Sequence, residues 1–307
     1  MNMKFENALT VVFTLLFLMS SNAHSAEVSA EVKACNEAVN KGDAKAALMQ
    51  AEVILKKNST DHEGLLCKGR ALKQQGNYAD ALTAMALAEK STDDIFAKTV
   101  SFMLIGNLHK ANNKIEEAVA SYQKGIEMCV KNENITYMLI NYNLIGDAYT
   151  ADKDLHNALD AYQSGLRIAN NDNERAESFE NLAKTYNALA NHDKAIEFQL
   201  KATVMQKQAG GLTAYADSSL LLGQYFNNAK EYSHAERHYK RLAKFAKDNG
   251  GAYYEAAANY GLAKALLGNG DKEAAKVLIS AANKQASKIG AKQLAAEIQA
   301  KQKMLNI

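Results

Sequence analysis

The chain has 307 residues, 48% of them hydrophobic, and contains no proline and no tryptophan. Its 36 basic and 34 acidic residues give a formal net charge of +2 and form no concentrated basic stripe, which argues against nucleic acid as a partner. Because Ala, Leu, Lys, Glu and Gln occur throughout and proline never interrupts them, we expect an all-α fold.

Residues 1–25 have the pattern of a secretory signal peptide. One lysine precedes a largely apolar stretch from Leu9 to Met19, and small or polar residues follow it. The stretch is too short for a bilayer, which needs roughly 20 residues, so an uncleaved anchor is the less favoured alternative. Cleavage after Ala23 and cleavage after Ser25 both fit. No cysteine follows at the place that lipid attachment requires. We therefore expect a periplasmic or secreted protein with no integral membrane segment after cleavage.

Two matched series of small residues run through the rest of the chain. The first is Cys35, Gly69, Gly106, Gly146, Ala183, Gly223 and Ala263, and the second is Ala47, Ala81, Ala118, Ala158, Ala195, Ala235 and Ala275. Each member of the second series lies 12 positions after its partner in the first, and successive steps are 34, 37, 40, 37, 40 and 40 residues. This regularity predicts seven helical hairpins stacked as a solenoid.

The fourth repeat illustrates the pattern within one hairpin. Tyr142, Gly146 and Tyr149 share one face of a first helix, a polar break follows at residues 151–154, and Ala158 and Tyr162 share one face of a second helix. Glycine inside a helix costs on the order of 1 kcal/mol against alanine. We expect close approach of the second helix at Ala158 to compensate for Gly146.

The combined Gly, Tyr, Ala and Tyr spacing resembles that of the tetratricopeptide repeat family, over roughly residues 28–285. The resemblance implies a right-handed all-α solenoid of about seven hairpins over residues 26–288. The usual proline of each repeat is missing, and the long 37- and 40-residue repeats are similar to those of peptide-sensing bacterial regulators and kinesin light chains. Residues 289–307 are predicted to form a capping helix, with Leu294, Ile298 and either Met304 or Leu305 turned inward.

In this family the first helices line a concave groove, which implies a protein or peptide partner. The candidate partner-binding residues are Arg70, Lys73, Asn107, Lys110, Asn143, Asp147, Lys184, Asn187, Gln224 and Asn227. An asparagine side chain both donates and accepts, so a row of amides can hold an extended backbone of any sequence. The family's two-carboxylate clamp is not expected, because Leu104 and Leu144 stand where its members are polar.

No catalytic or cofactor motif is recognised. His234 and His238 have metal-ligand spacing, but Glu236 between them fits neither usual zinc motif, so we expect a solvated pair. The sequence therefore predicts an exported, non-enzymatic scaffold that binds a peptide segment or helix of a partner and uses no cofactor or metal. The alternative is a peptide-sensing regulator whose superhelix changes curvature on binding. The sequence leaves the oligomeric state open.

Three cysteines remain after the signal peptide, and an odd number cannot all pair within one chain. Cys35 and Cys67 fall on the first helices of consecutive repeats, so a disulfide between them is one alternative. The favoured interpretation is that Cys35, Cys67 and Cys129 are free and pack as small hydrophobes at helix contacts.

Overall fold

The computed structural model describes residues 29–209 and 211–305. The predicted signal peptide and both cleavage sites lie outside this range. The described residues form fifteen α-helices: α1 (Ala30–Asn40), α2 (Ala44–Lys57), α3 (His62–Gln74), α4 (Tyr78–Lys90), α5 (Ile95–Ala111), α6 (Ile115–Lys131), α7 (Ile135–Ala151), α8 (Leu155–Ile168), α9 (Asp172–Ala188), α10 (His192–Gln208), α11 (Leu212–Asn228), α12 (Tyr232–Asp248), α13 (Ala252–Asn269), α14 (Lys272–Lys288) and α15 (Lys292–Leu305).

The chain is an all-α helical repeat with a solenoid architecture, which confirms the predicted fold class. The odd-numbered helices from α1 to α13 are the first helices of seven hairpins, and the even-numbered helices are their second helices. The chain divides into two compact units, unit 1 up to Asn141 and unit 2 from Tyr142 onward. All seven alanines of the second small-residue series have no accessible surface. In the described residues, no helix is long and apolar enough to cross a bilayer.

The glycines of the first series pack against the second helix of their own hairpin, as predicted. A Cβ atom on Gly106, Gly146 or Gly223 would fall within 3.0 Å of an aromatic ring of the second helix, contributed by Tyr122, Tyr162 and Tyr239, respectively. The same atom on Gly69 would lie 2.6 Å from Met85 Cγ and 3.2 Å from the Ala81 carbonyl oxygen. The side chain that fills the space is the large residue one turn beyond each alanine, because it leans back over the preceding turn.

The seven turns within hairpins share one backbone geometry. A residue with positive φ follows each first-series residue by seven positions: Gly42, Gly76, Asn113, Lys153, Ala190, Lys230 and Gly270. The amide after it bonds a carbonyl five positions back, as in Asp154 N–H to the Tyr149 oxygen at 2.9 Å. This is the Schellman closure of a helix C-terminus. Only three of the seven positions are glycine, so the geometry recurs even where the residue type disfavours it.

The residue whose amide closes this turn is also the N-cap residue of the second helix. The side chains of Asp43, Asn77, Asp154, Asn191 and Asp271 each accept a backbone N–H three positions on, at the start of a second helix. Such caps satisfy amides that the helix itself leaves without a partner. One short segment therefore ends the first helix and begins the second, which fixes the hairpin angle locally.

Cys35 and Cys67 form a disulfide that joins α1 to α3, with their Cα atoms 6.3 Å apart. The favoured sequence interpretation of three free cysteines is therefore wrong for this pair. The equivalent faces of α1 and α3 bring the two side chains together, which spacing in the sequence alone does not establish. Cys129 is free and buried, as expected for a small hydrophobe.

The C-terminal helix α15 buries Leu294 and Ile298, as predicted. Leu305 packs against the core cluster of α12 to α14, whereas Met304 is 77% exposed. The inward residue at the end of the helix is therefore Leu305.

The pair formed by His234 and His238 is only half solvated, which corrects the sequence prediction. His234 is exposed and lies 3.2 Å from a carboxylate oxygen of Glu231. His238 is buried, its Nε2 atom lies 2.8 Å from the Ser219 carbonyl oxygen, and burial lowers the pKa of the imidazole. The cause is helix α11, which packs over His238. Across residues 29–209 and 211–305, no three His, Cys, Asp or Glu side chains are grouped as metal ligands.

Candidate peptide-binding faces

The candidate residues lie on the first helices, most of them one or four positions after a first-series residue. The boundary between the two units divides them into two sets. The amino-terminal face comprises Arg70, Lys73, Asn107 and Lys110, together with Asn36 and Asn40. The carboxyl-terminal face comprises Asn143, Asp147, Lys184, Asn187, Gln224 and Asn227.

Arg70 on α3 is held by α1. Its Nη1 atom donates to Asn36 Oδ1 at 2.7 Å and its Nη2 atom donates to Asn40 Oδ1 at 3.2 Å. One turn further along α3, Gln74 Nε2 donates to the Val39 carbonyl at 2.6 Å. Burial lowers the pKa of the Arg70 guanidinium, which nevertheless stays charged. The α1 amides therefore fix the orientation of a half-buried cation.

Lys73 and Lys110 lie near Arg70 on the same face and are both half-buried. Burial lowers the pKa of Lys73, and the neighbouring charges of Lys110 and Arg70 lower it further. Within the described part of the chain, neither lysine has a hydrogen bond or an ion pair. Three like charges thus converge where the solvent screens them only in part.

Asn107 is supported from the second helix of its own hairpin. Tyr122 packs its ring against Gly106, and its hydroxyl donates to Asn107 Oδ1 at 2.8 Å. The Nδ2 group of Asn107 has no partner among the described residues. The residue is therefore positioned through its oxygen and keeps two N–H donors for a ligand.

The carboxyl-terminal face repeats this arrangement with a carboxylate. Tyr162 packs against Gly146, and its hydroxyl donates to Asp147 Oδ1 at 2.7 Å. Burial and the Asp147 charge raise the pKa of Tyr162, so its proton stays in place to donate this bond. The support seen at Asn107 thus recurs at Asp147, each 15 positions before its tyrosine, whereas the Tyr239 hydroxyl donates to the Leu220 carbonyl at 3.5 Å.

Asn143 differs from the other candidates because it is buried. Its Nδ2 group donates to Glu177 Oε1 at 3.2 Å, and its Oδ1 atom has no partner in the described residues. The pKa of Glu177 is raised by desolvation and by the charges of Asp147 and Glu180, and lowered in part by Lys184. Asn143 therefore acts as a support for Glu177 in this structure.

The remaining candidates of this face lie on α9 and α11. Lys184 and Gln224 are exposed. Asn187 Oδ1 accepts a bond from Asn228 Nδ2 at 2.9 Å, and Asn227 Nδ2 donates to the Gly261 carbonyl at 3.3 Å. The two asparagines join neighbouring repeats, whereas Lys184 and Gln224 are the side chains most accessible to a partner.

Sequence reasoning missed the supporting residues of both faces. Glu177 was overlooked, although acidic residues also stand six positions before a first-series residue at Glu63 and Asp217. The hydroxyls of Tyr122 and Tyr162 were interpreted only as core. The constant spacing of 15 residues from Asn107 and from Asp147 is the signal that could have identified them.

Comparison with known proteins agrees with this geometry. One family model, described as tetratricopeptide repeat, matches residues 136–208, and another with the same description matches residues 100–129. The matched residues are therefore similar to tetratricopeptide repeats, and the chain has a TPR-like solenoid fold. No curated protein matches the chain in sequence.

Several solved structures share the fold of this chain. The crystal structure of the apo form of RapI aligns with a TM-score of 0.65 at 14% identity, covering 97% of this chain and 92% of RapI. Aspartyl phosphate phosphatase F from Bacillus subtilis aligns with a TM-score of 0.58 at 11% identity, covering 94% of this chain and 96% of the other. A Podosopora anserina protein described as a kinesin light chain with nearly identical TPR-like repeats gives 0.56 at 16% identity, with coverages of 65% and 100%.

Proposed function

We propose that this protein is an exported, non-enzymatic scaffold that binds a peptide segment or helix of a partner protein on its first helices. Tetratricopeptide repeats imply protein partners, and the first-helix faces carry polar groups whose capacity is not used within the chain. The observation that carries the proposal is the tyrosine-supported position one residue after the small residue, where Asn107 and Asp147 are held in place. Held side chains lose less entropy when they bind.

Unused donors and charges support this assignment. Lys110, Lys184 and Gln224 have no hydrogen bond to another described residue, and Asn107 keeps its Nδ2 donors. A peptide backbone offers one N–H and one C=O per residue, which amides and cations of this kind can satisfy. The faces are therefore equipped to hold an extended segment in addition to any specific side-chain contacts.

Export is supported by the disulfide between Cys35 and Cys67 together with the predicted signal peptide. Disulfides persist in oxidising compartments and are rare in the cytosol. We place the mature protein in the periplasm or outside the cell. Fractionation of producing cells, followed by amino-terminal sequencing of the mature chain, tests this placement and also distinguishes cleavage after Ala23 from cleavage after Ser25.

Binding on the first helices is tested with a random-sequence peptide array. The variant K110A/Q224A removes one lysine and one glutamine from these helices, and K45A/Q123A removes the same residue types from exposed positions of α2 and α6. We expect wild type and K45A/Q123A to retain the same peptides and K110A/Q224A to lose most of them. Equal retention by all three proteins would exclude the first helices, and no retention by wild type would exclude peptide binding.

A peptide-sensing regulator is the second candidate, favoured by a buried polar layer between α10, α11 and α12. Gln199 stands where four other repeats have tyrosine or methionine, and its Nε2 atom donates to the carbonyl and the hydroxyl of Ser218 at 3.0 and 2.8 Å. Gln199 Oε1 and the hydroxyls of Ser178 and Ser219 are buried without a partner in the described residues. Unsatisfied buried groups weaken packing, so this layer is suited to rearrange.

Small-angle scattering separates the two candidates. A regulator should contract or expand when peptides retained on the array are added, and a Q199M variant with an apolar layer should respond less. A radius of gyration that is unchanged by saturating peptide favours the passive scaffold.

A further inference from the structure

We propose that the amino-terminal face selects a peptide segment rich in carboxylates, which it binds between Arg70, Lys73 and Lys110. The inference rests on the proposed peptide-binding function and names the chemistry of the ligand. It concerns unit 1 alone. Three observations carry it: the register of the two lysines, the absence of an ion pair to either lysine within the described residues, and the fixed orientation of the arginine.

The two lysines occupy equivalent places in consecutive repeats. Lys110 follows Lys73 by 37 residues, the same step that separates Gly106 from Gly69. The corresponding positions in the other repeats are Val39, Thr150, Asn187, Asn227 and Leu267, so a lysine stands here only in the second and third repeats. Repeat geometry therefore places Lys73 and Lys110 side by side on neighbouring first helices, with Arg70 one turn before Lys73.

No acidic side chain of the described residues forms an ion pair with these cations. The charge of Glu63 on α3 raises the pKa of Arg70 in part, although its carboxylate also lies 3.3 Å from the imidazole of His62. On α6, Glu117 pairs with Lys114 at 3.9 Å. The two lysines thus have no carboxylate partner in the described residues, and a bound anion would offset the repulsion that Lys73 experiences from Arg70 and Lys110. Burial is the main cause of the lowered pKa of Lys73, and these two charges lower it further.

Arg70 is already oriented for a ligand. Two of its five N–H groups bond the side-chain oxygens of Asn36 and Asn40, which leaves three N–H groups for an acceptor. A guanidinium fixed in this way binds a planar carboxylate with little further loss of entropy. Asn107 adds two amide donors on the neighbouring repeat.

A carboxylate-bearing peptide fits this face better than a polyanion does. The cations form one cluster of three on α3 and α5, and the whole chain carries a net charge of only +2, whereas nucleic acid binding needs an extended basic surface. The cluster also differs from the family's two-carboxylate clamp, because Leu104 and Leu144 stand where clamp members are polar. Arg70 shares the repeat position of Asn107, whereas Lys73 and Lys110 lie one turn further along their helices. Acidic side chains spaced along an extended segment match cations on adjacent helices.

The test uses a peptide array in which each sequence is also printed with every Asp and Glu changed to Asn and Gln. Wild type is compared with K73Q/K110Q, which removes two unpaired charges, and with K45Q/K56Q, which removes two exposed charges from α2 in the same unit. We expect wild type and K45Q/K56Q to prefer the acidic member of each pair by about tenfold in affinity. The variant K73Q/K110Q should lose this preference and still bind the neutral peptides. Added salt should likewise weaken the preference of wild type for the acidic peptides.

Each outcome has one meaning. Equal binding of acidic and neutral members by wild type overturns the inference and leaves the proposed function intact, as does an acidic preference that survives in K73Q/K110Q. Tighter retention of heparin than of acidic peptides assigns the cluster to polyanions and also overturns it. If wild type binds no peptide at all, the proposed function itself fails.

Discussion

The two units close the same turn with different residues. In unit 1 the residues of positive φ within hairpins are Gly42, Gly76 and Asn113, all of which tolerate that conformation. In unit 2 they are Lys153, Ala190, Lys230 and Gly270, so three of four carry a side chain that disfavours it. Tertiary packing imposes the turn in both units, but unit 2 stores strain of about 1 kcal/mol at each of these sites.

The two units also differ in their covalent links, in their buried polar groups and in the charges on their first helices. Unit 1 has a disulfide at its first repeats and a cationic face. Unit 2 has a buried polar layer at Gln199 and a face on which Asp147 and Glu177 repel each other. The contrast indicates that unit 1 is built for fixed binding geometry, whereas unit 2 retains locally weak packing.

Removing the disulfide tests the rigidity of unit 1 and should have the largest effect. The variant C35S/C67S opens a loop with a sequence separation of 32 residues, which should lower the free energy of unfolding by about 3.5 kcal/mol. The measurement is denaturant unfolding without reductant, with C129A as the control that keeps the disulfide. A C35S/C67S protein as stable as C129A would contradict the stabilising role.

Filling the space at a first-series glycine tests the ring contact in each unit. G106L in unit 1 and G223L in unit 2 force leucine against Tyr122 and Tyr239, and each should cost about 3 kcal/mol. Circular dichroism during thermal unfolding measures the loss, and A79L on the exposed side of α4 is the control. If G106L and G223L melted like A79L, close helix contact would not explain the small-residue series.

Relieving strained turns should have a smaller, opposite effect. Replacement of Lys153, Ala190 or Lys230 by glycine should raise the free energy of unfolding by about 0.5–1 kcal/mol per site, because glycine adopts positive φ without a steric penalty. The matched control is A229G, whose backbone is right-handed and which should gain nothing. Destabilisation by A190G would refute the contrast between the units.

The smallest expected effect is a pH dependence in unit 2. Burial lowers the pKa of His238 in the folded protein below its ordinary value of 6.5, so the unfolded chain binds the proton first, and stability falls as pH drops from that ordinary value toward the lower folded pKa. From pH 7 to pH 5, the melting temperature of wild type should therefore fall by about 2 °C more than that of H238Q, in which the amide can still donate to Ser219. Scanning calorimetry at both pH values measures these melting temperatures. The control is H234Q, which is changed at an exposed position and should show the same pH dependence as wild type.

The periodic small residues were sufficient to predict the fold class, because helix pairing in a repeat depends on local spacing. The same spacing did not identify the side chain in contact, since the one that meets Gly146 is set by the direction in which Tyr162 leans. The candidate residues were found on the first helices, but Asn143 proved to be buried beneath Glu177. The position of a residue on a helix can be predicted from the repeat spacing. Its solvent exposure depends on which side chains of the neighbouring helix pack over it.

The sequence by itself determined the seven hairpins, the buried alanine series and the capping helix with Leu294 and Ile298 inside. These depend on contacts between neighbours in the chain, which a repeat encodes in its period. Only the tertiary structure decided the pairing of Cys35 with Cys67, the left-handed backbone at Lys153, Ala190 and Lys230, and the convergence of Arg70, Lys73 and Lys110. The disulfide and the cationic cluster depend on how the helices of one repeat face those of the next, and the left-handed backbone depends on how the two helices of one hairpin pack. Residue type alone carries too little information about either arrangement.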